Sequence, residues 1–241
     1  MKKMYLFAFL FVITNAMLLP CNINAELNQN NKTLQLAPTT VQKAKIYAVK
    51  LKNSPIKYPQ VRGLSNKNAE LKINATLQQG AQLANQHRIK LFADEKEAKK
   101  NWDASQGPWR AYEYVFTYKV PFNDSGKLSV IYNEYSYTGG AHGMTIGTTY
   151  NFDTMTGNII PLSKLIKGKE KSIQDYTYQQ LQKKYSGYIL IKSPNEIILN
   201  DKNRLWVFDK VGIKLIFNEY EVAAYVAGMP EIVVPFSYIR N

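Results

Sequence analysis

The chain has 241 residues, a formal net charge of +13 and a single cysteine, Cys21. That length fits one sizeable domain or two small ones, and a lone thiol excludes an intramolecular disulfide framework and a cysteine-rich metal site. The positive excess favours polyanionic partners such as teichoic acids, lipopolysaccharide phosphates or anionic head groups; but the basic residues are spread out, as in Glu95-Lys96-Glu97-Ala98-Lys99-Lys100, and nucleic-acid binding has little support.

Lys2 and Lys3 precede an almost wholly apolar run, Tyr5 to Asn15, which gives way to the small-residue exit Ile23-Asn24-Ala25. The run is too short to span a bilayer, and Ala25 suits signal peptidase, so residues 1–25 read as a secretory signal peptide and the mature protein is expected outside the cytoplasm, secreted or periplasmic. Leu18-Leu19-Pro20-Cys21 loosely resembles a lipobox. Pro20 stands where a small residue is usual, so a lipidated Cys21, the one expected route to a membrane, stays the lesser alternative. Residues 26–40, rich in Asn, Gln and Thr, read as a flexible lead-in, with a single domain at 41–241.

Lys45 to Leu51 reads as a first strand and Tyr58 to Val61 as a second, kept to an edge by Pro59. From Ser65 as N-cap, Ile73, Leu77, Ala81, Ala84, Arg88 and Leu91 recur at helical steps. Tyr112, Tyr114, Phe116, Tyr118, Val120 and Phe122 then alternate with polar residues, which predicts a strand with one aromatic, buried face. Asn123 to Gly126 supplies a turn and Leu128 to Tyr137 a partner strand. Alternation resumes after Gly143 with Met144, Ile146, Thr148, Tyr150 and Phe152, and Asp153 to Gly157 makes the next turn. Leu162 to Lys184 returns to helical spacing, with Ile173, Tyr176, Gln180 and Leu181 inward and Ser172 as a cap. Leu205 to Phe208, Ile213 to Phe217 and Ile232 to Tyr238 read as closing strands. The expected fold is α+β: a mostly antiparallel sheet with two main helices packed on it.

Few residues carry chemistry. Gly139-Gly140-Ala141-His142-Gly143 joins two strands and allows close backbone approach of a ligand or a neighbouring strand, but no helix start or P-loop lysine follows it. His142 and His87 are the only histidines, so no three-histidine zinc site exists, and neither a metal nor a cofactor is expected. Ser136, His142 and Asp153 could be drawn as a triad, although no nucleophile elbow is present. If the stretch around Tyr220 is extended, Glu219 and Glu221 share a face about 7 Å apart, near the inverting glycosidase range. Tyrosine, at 17 residues, invites a binding surface; those beside glycine or loop signals are Tyr135, Tyr137 and Tyr225.

Three ordered motifs, Tyr135 to Gly143, Asn151 to Gly157 and Phe217 to Gly228, resemble the extracytoplasmic domain of unknown function shared by the anti-sigma factor RsiV and the N-terminal region of the peptidoglycan deacetylase PdaC. The resemblance runs from about Val41 to the C-terminus and implies an α+β fold. In the anti-sigma factor the domain captures lysozyme with loops inserted at its cleft, which by similarity points to Tyr220 to Pro230 and Gly139 to Gly143 here, with Tyr225 as the anchor. Ala224 stands where many relatives have proline. The chain shows no cytoplasmic segment before the domain and stops where a deacetylase domain would follow, so neither sigma-factor capture nor deacetylation is expected. The expected function is a non-catalytic, envelope-associated binding domain for cell-wall polymer or a wall-lytic enzyme such as lysozyme, using Tyr137, Gly139, Gly140, His142, Tyr220, Glu221, Tyr225 and Gly228. Common lysozymes are cationic like this chain, which weighs toward the polymer. The alternative is a polysaccharide-modifying hydrolase working through Glu221 and His142.

Overall fold

The computed structural model describes residues 43–239. The expected leader at 1–25, the fate of Cys21 and the lead-in at 26–40 lie outside the described residues. Strands β1 (Lys45–Lys50) and β2 (Lys57–Arg62) form an antiparallel ribbon in which Pro59 faces Ala48. A two-stranded ribbon has only edges, where a residue without an N–H is tolerated.

Helix α1 (Lys67–Lys100) starts from Asn66, not Ser65: the Asn66 side-chain oxygen accepts from the N–H groups of Asn68 and Ala69. Its predicted stripe holds, with Ile73, Leu77, Ala81 and Ala84 buried and Arg88 and Leu91 half-buried. The stripe lies on a sheet of β3 (Glu113–Asp124), β4 (Lys127–Tyr137) and β5 (Met144–Asp153), antiparallel in that order. Tyr114, Phe116, Tyr118 and Val120 turn one face of β3 toward α1, as their alternation predicts. Phe122 departs from it. The register slips between Lys119 and Phe122, around Pro121, and the bulge sends Phe122 to the opposite side, 5.7 Å from Phe208 between ring centroids.

Met144 and Ile146, which begin the alternation of β5, are exposed. The reason is the oblique path of α1, which runs from beside Gly157, past Tyr150, to Tyr114 and Glu134, and leaves the first half of β5 uncovered.

The single helix expected over 162–184 is two, α2 (Leu162–Ile166) and α3 (Glu170–Lys184), separated at Gly168 with φ +75. Ser172 does not cap α3; its hydroxyl donates to the Lys169 carbonyl from within the first turn. Ile173, Thr177 and Leu181 form the buried stripe, while Tyr176 and Gln180 are half-buried. A second antiparallel sheet, β6 (Trp206–Phe208), β7 (Gly212–Ile216) and β8 (Glu231–Pro235), closes the chain, and Phe236–Tyr238 turns into a 3₁₀ segment instead of prolonging the last strand.

The α+β class thus holds, with the strands divided among three antiparallel sheets. One core lies between α1 and the β3–β5 sheet, another between the β6–β8 sheet and α2 and α3, and a small cluster of Ile131, Leu205, Val207 and Ile216 joins the two sheets. Beside that cluster runs a buried polar seam. The Ser129 hydroxyl donates to Asn151 Oδ1 at 2.6 Å and accepts from Phe208 N–H at 2.9 Å, and Asn151 Nδ2 donates to the Trp206 carbonyl at 2.7 Å. Buried groups with all these bonds made fix the register of one sheet on the other.

Candidate functional site

The β5 strand is an edge of its sheet, with outward N–H groups that must find partners. Side chains of the segment after β7 supply them: Asn218 Oδ1 accepts from Gly147 N–H and Glu219 Oε2 from Thr145 N–H, each at 2.9 Å. This pins residues 218–221 in a tight turn, closed by Glu221 N–H donating to the Asn218 carbonyl, in which Tyr220 adopts φ +65. A left-handed aromatic residue is strained and persists only where its surroundings over-determine it.

Arg204 supplies that constraint. Its buried guanidinium forks onto both carboxylate oxygens of Glu221, donates to the Ile216 carbonyl and lies 4.7 Å from the centroid of the Phe217 ring. Glu221 Oε2 also accepts from Asn218 N–H at 2.8 Å. The chain then pairs Ala223 with Ile189, and Ala224 N–H donates to the Tyr188 carbonyl at 2.7 Å. A 3₁₀ turn at Tyr225–Ala227 follows, ended by Gly228 at φ +63.

The result is an aromatic face built from two loops. His142 stacks on Tyr225 with ring centroids 3.8 Å apart and planes 19° from parallel, and Tyr220 stacks on Tyr225 at 5.7 Å. His142 Nδ1 donates to the Gly143 carbonyl, which leaves Nε2 as the acceptor for the Tyr220 hydroxyl at 3.1 Å, so both ring nitrogens are engaged. Tyr135 lies across Gly143 so closely that a Cβ there would come within 2.4 Å of its ring; glycine at this position is what lets the loop lie flat. The Tyr225 hydroxyl is held above its ordinary pKa by desolvation, then by Glu219, Tyr135 and Tyr220. Tyr220 is 46% and Val226 71% exposed, so a stiff, largely aromatic surface faces water.

Of the residues expected at the site, His142, Tyr220 and Tyr225 come together. Tyr137, Gly139 and Gly140 belong to the other end of the loop, where the Gly140 carbonyl accepts from Tyr137 Oη and Arg110 Nη1. Gly228 shapes the turn with its φ of +63, and Glu221 is an ion-pair partner of Arg204. The carboxylate pair is corrected: residues 218–221 are a turn, Glu219 bonds to Thr145, and Glu221 is committed to Arg204 and Asn218, so the two acids do not face one bond across a shared face. The triad is corrected as well. Asp153 pairs with Lys127 at the far end of β5, while His142 bonds to Gly143 and Tyr220. Glu219 and Arg204 are the site residues that sequence reasoning assigned no such role, because their bonds span 74 and 17 residues. Among the described residues, no helix is long and apolar enough to cross a membrane.

Comparison with known proteins divides the chain in two. Residues 47–145 match the family model described as Deacetylase PdaC, and residues 158–237 match the protein family of unknown function DUF3298. The peptidoglycan-N-acetylmuramic acid deacetylase PdaC of Bacillus subtilis is 25% identical over 130 residues, an alignment that takes in 52% of this chain and 28% of the deacetylase. A crystal structure of a DUF3298 member from Bacteroides fragilis superposes with a TM-score of 0.56 at 19% identity, over 81% of this chain and 90% of that one, which shows a shared fold. Another, from Pseudomonas aeruginosa, gives a TM-score of 0.49 at 14% identity over 82% and 90%. The His142 loop lies in the first matched segment and the Tyr220–Tyr225 turn in the second, so the aromatic face is assembled from a segment that matches the PdaC model and a segment that matches DUF3298.

Proposed function

We propose that this protein is an extracytoplasmic, non-catalytic binding domain that holds cell-wall polymer on the face formed by His142, Tyr220 and Tyr225. The observation that carries the reading is the exposed ring stack, stiffened at both ends: strained Tyr220 is locked by Arg204 and Glu221, and His142 by two hydrogen bonds. Rigid aromatic rings give large contact area at little entropic cost, which suits binding. Kinship with a peptidoglycan deacetylase supports the wall as the target, and the leader expected at 1–25 supports the compartment. The hydrolase alternative is less well supported, since Glu221 already accepts from the Arg204 fork and from Asn218 N–H.

The test is retention of the chain on purified peptidoglycan sacculi. Tyr225→Ala is expected to weaken retention about tenfold, the scale of one stacked ring, with the circular dichroism unchanged. Equal retention of variant and parent would overturn the reading. A second reading, capture of a cationic wall-lytic enzyme, is favoured by one observation: Glu219 lies beside Tyr225 and puts negative charge at the aromatic face of a chain whose net charge is positive. Binding to immobilised lysozyme that is lost in Glu219→Gln, with no retention on sacculi, would decide for it.

A further inference from the structure

Two of the three tryptophans lie outside both cores, together, in the irregular segment between α1 and β3. Trp102 and Trp109 meet edge to face with ring centroids 5.4 Å apart and planes at 82°, and Trp109 stacks on Tyr112 at 5.8 Å. They wall a cleft of about 230 Å³ whose other side is Arg110, Thr138 and Gly139. That is smaller than the roughly 300 Å³ at which pockets for drug-sized molecules begin, a scale suited to a single ring.

The chemistry of the walls narrows the occupant. Both indole N–H groups are spent inside the protein, Trp102 Nε1 on the Gly107 carbonyl at 3.0 Å and Trp109 Nε1 on Glu95 at 3.4 Å, so the rings offer faces, not polar edges, to whatever enters. Glu95 Oε1 also accepts from Tyr112 N–H, which anchors the segment to α1. Trp102 remains 39% exposed, an unusual cost for the largest apolar side chain. Facing these rings, Arg110 is held at the rim by its bond to the Gly140 carbonyl, which uses one of its five N–H donors. Flat apolar walls at right angles suit a ring with apolar C–H faces and a polar girdle, and a positioned guanidinium suits a carboxylate on that ring.

We propose that the cleft of Trp102, Trp109 and Tyr112 is a second binding site, for a sugar ring that carries a carboxylate, with Arg110 pairing the acid. The proposal rests on the cell-wall reading above and names the part of the polymer that this site takes. The cleft and the His142 face share one loop: Gly139 and His142 are three residues apart, at most about 11 Å of chain, so one glycan strand reaches both.

Because the third tryptophan, Trp206, is buried, cleft occupancy is read by tryptophan fluorescence. The full chain is titrated with peptide-free peptidoglycan glycan strands, which carry lactyl carboxylates, and with neutral chitotetraose. The strands are expected to shift the emission, with Trp102→Ala binding them about tenfold more weakly and Arg110→Gln losing the preference for the acidic strands over chitotetraose. Tyr225→Ala lowers retention on sacculi but leaves the fluorescence shift in place, which separates this site from the first. No emission change with either glycan, equal affinity in Trp102→Ala, or emission that responds only to a protein partner would each overturn the cleft assignment, while loss of sacculus retention in Tyr225→Ala would still stand for the other face.

Discussion

The tyrosines of the central sheet and those of the 218–228 turn are the same residue put to opposite uses. Tyr132 is 2% exposed, packs edge to face on Phe116 and Tyr150, and donates its hydroxyl to the Leu77 carbonyl of α1. Tyr220 and Tyr225 instead stack on each other, and Tyr225 on His142, at the surface. What separates them is whether the polar tip finds a partner inside: a buried phenol bonded to a helix carbonyl knits two layers together, whereas a ring propped up by backbone strain and an ion pair is kept available.

The sharpest way to test the contrast is to remove one ring from each set. Tyr132→Ala is expected to cost about 3–5 kcal/mol by emptying a packed site, read from urea midpoints, while Tyr225→Ala costs under about 1 kcal/mol and acts on retention alone. Next comes the prop itself. Arg204→Met leaves Glu221 without its fork and is expected to cost about 3 kcal/mol, with retention on sacculi lost although no contact residue has changed; Glu221→Gln, which keeps one acceptor, should lose less of both.

Alkaline titration separates the two sets without mutation. Burial raises the Tyr132 and Tyr150 hydroxyls, that of Tyr150 to about 12, with Glu134 adding to it, and neighbouring tyrosines add to the rise at Tyr132. A phenol whose folded pKa lies above its unfolded value of about 10 contributes stability that is whole below pH 10 and is lost as pH climbs toward the folded value. Urea midpoints are therefore expected to hold up to about pH 10 and fall between about 10 and 12; a fall already complete by pH 9 would remove these phenols as its cause. The smallest effect expected is at Ala224, whose φ of −61 and ψ of 155 a proline can adopt. Ala224→Pro would forfeit the bond to the Tyr188 carbonyl while stiffening the unfolded chain, a net change within about 1 kcal/mol in thermal unfolding.

The same contrast explains what could be read in advance. The faces of β3 and α1 follow from side-chain period, because burial repeats with the geometry of strand and helix and leaves its mark on every second or every third and fourth residue. Glu219 and Glu221 would share a face only if the stretch around Tyr220 were extended, but the backbone there answers to Arg204 and to the edge of β5, not to its neighbours in the chain. The pairing of His142 with Tyr220 spans 78 residues, and no local pattern announces it. Trp102 and Trp109 escaped notice for a related reason: they sit between elements, where periodicity is silent, and only the fold turns their rings toward Arg110 and Thr138.

The hydrogen bond from Thr145 at the β5 edge to Glu219 stitches together segments that match separate family models, and the bond from Gly147 to Asn218 beside it holds the same seam. Neither segment owns the aromatic face. Grafting a foreign version of one half onto this chain should therefore change ligand preference only when residues 218 and 219 still fit the host strand, which makes that seam the natural unit of inheritance for whatever the face has come to recognise.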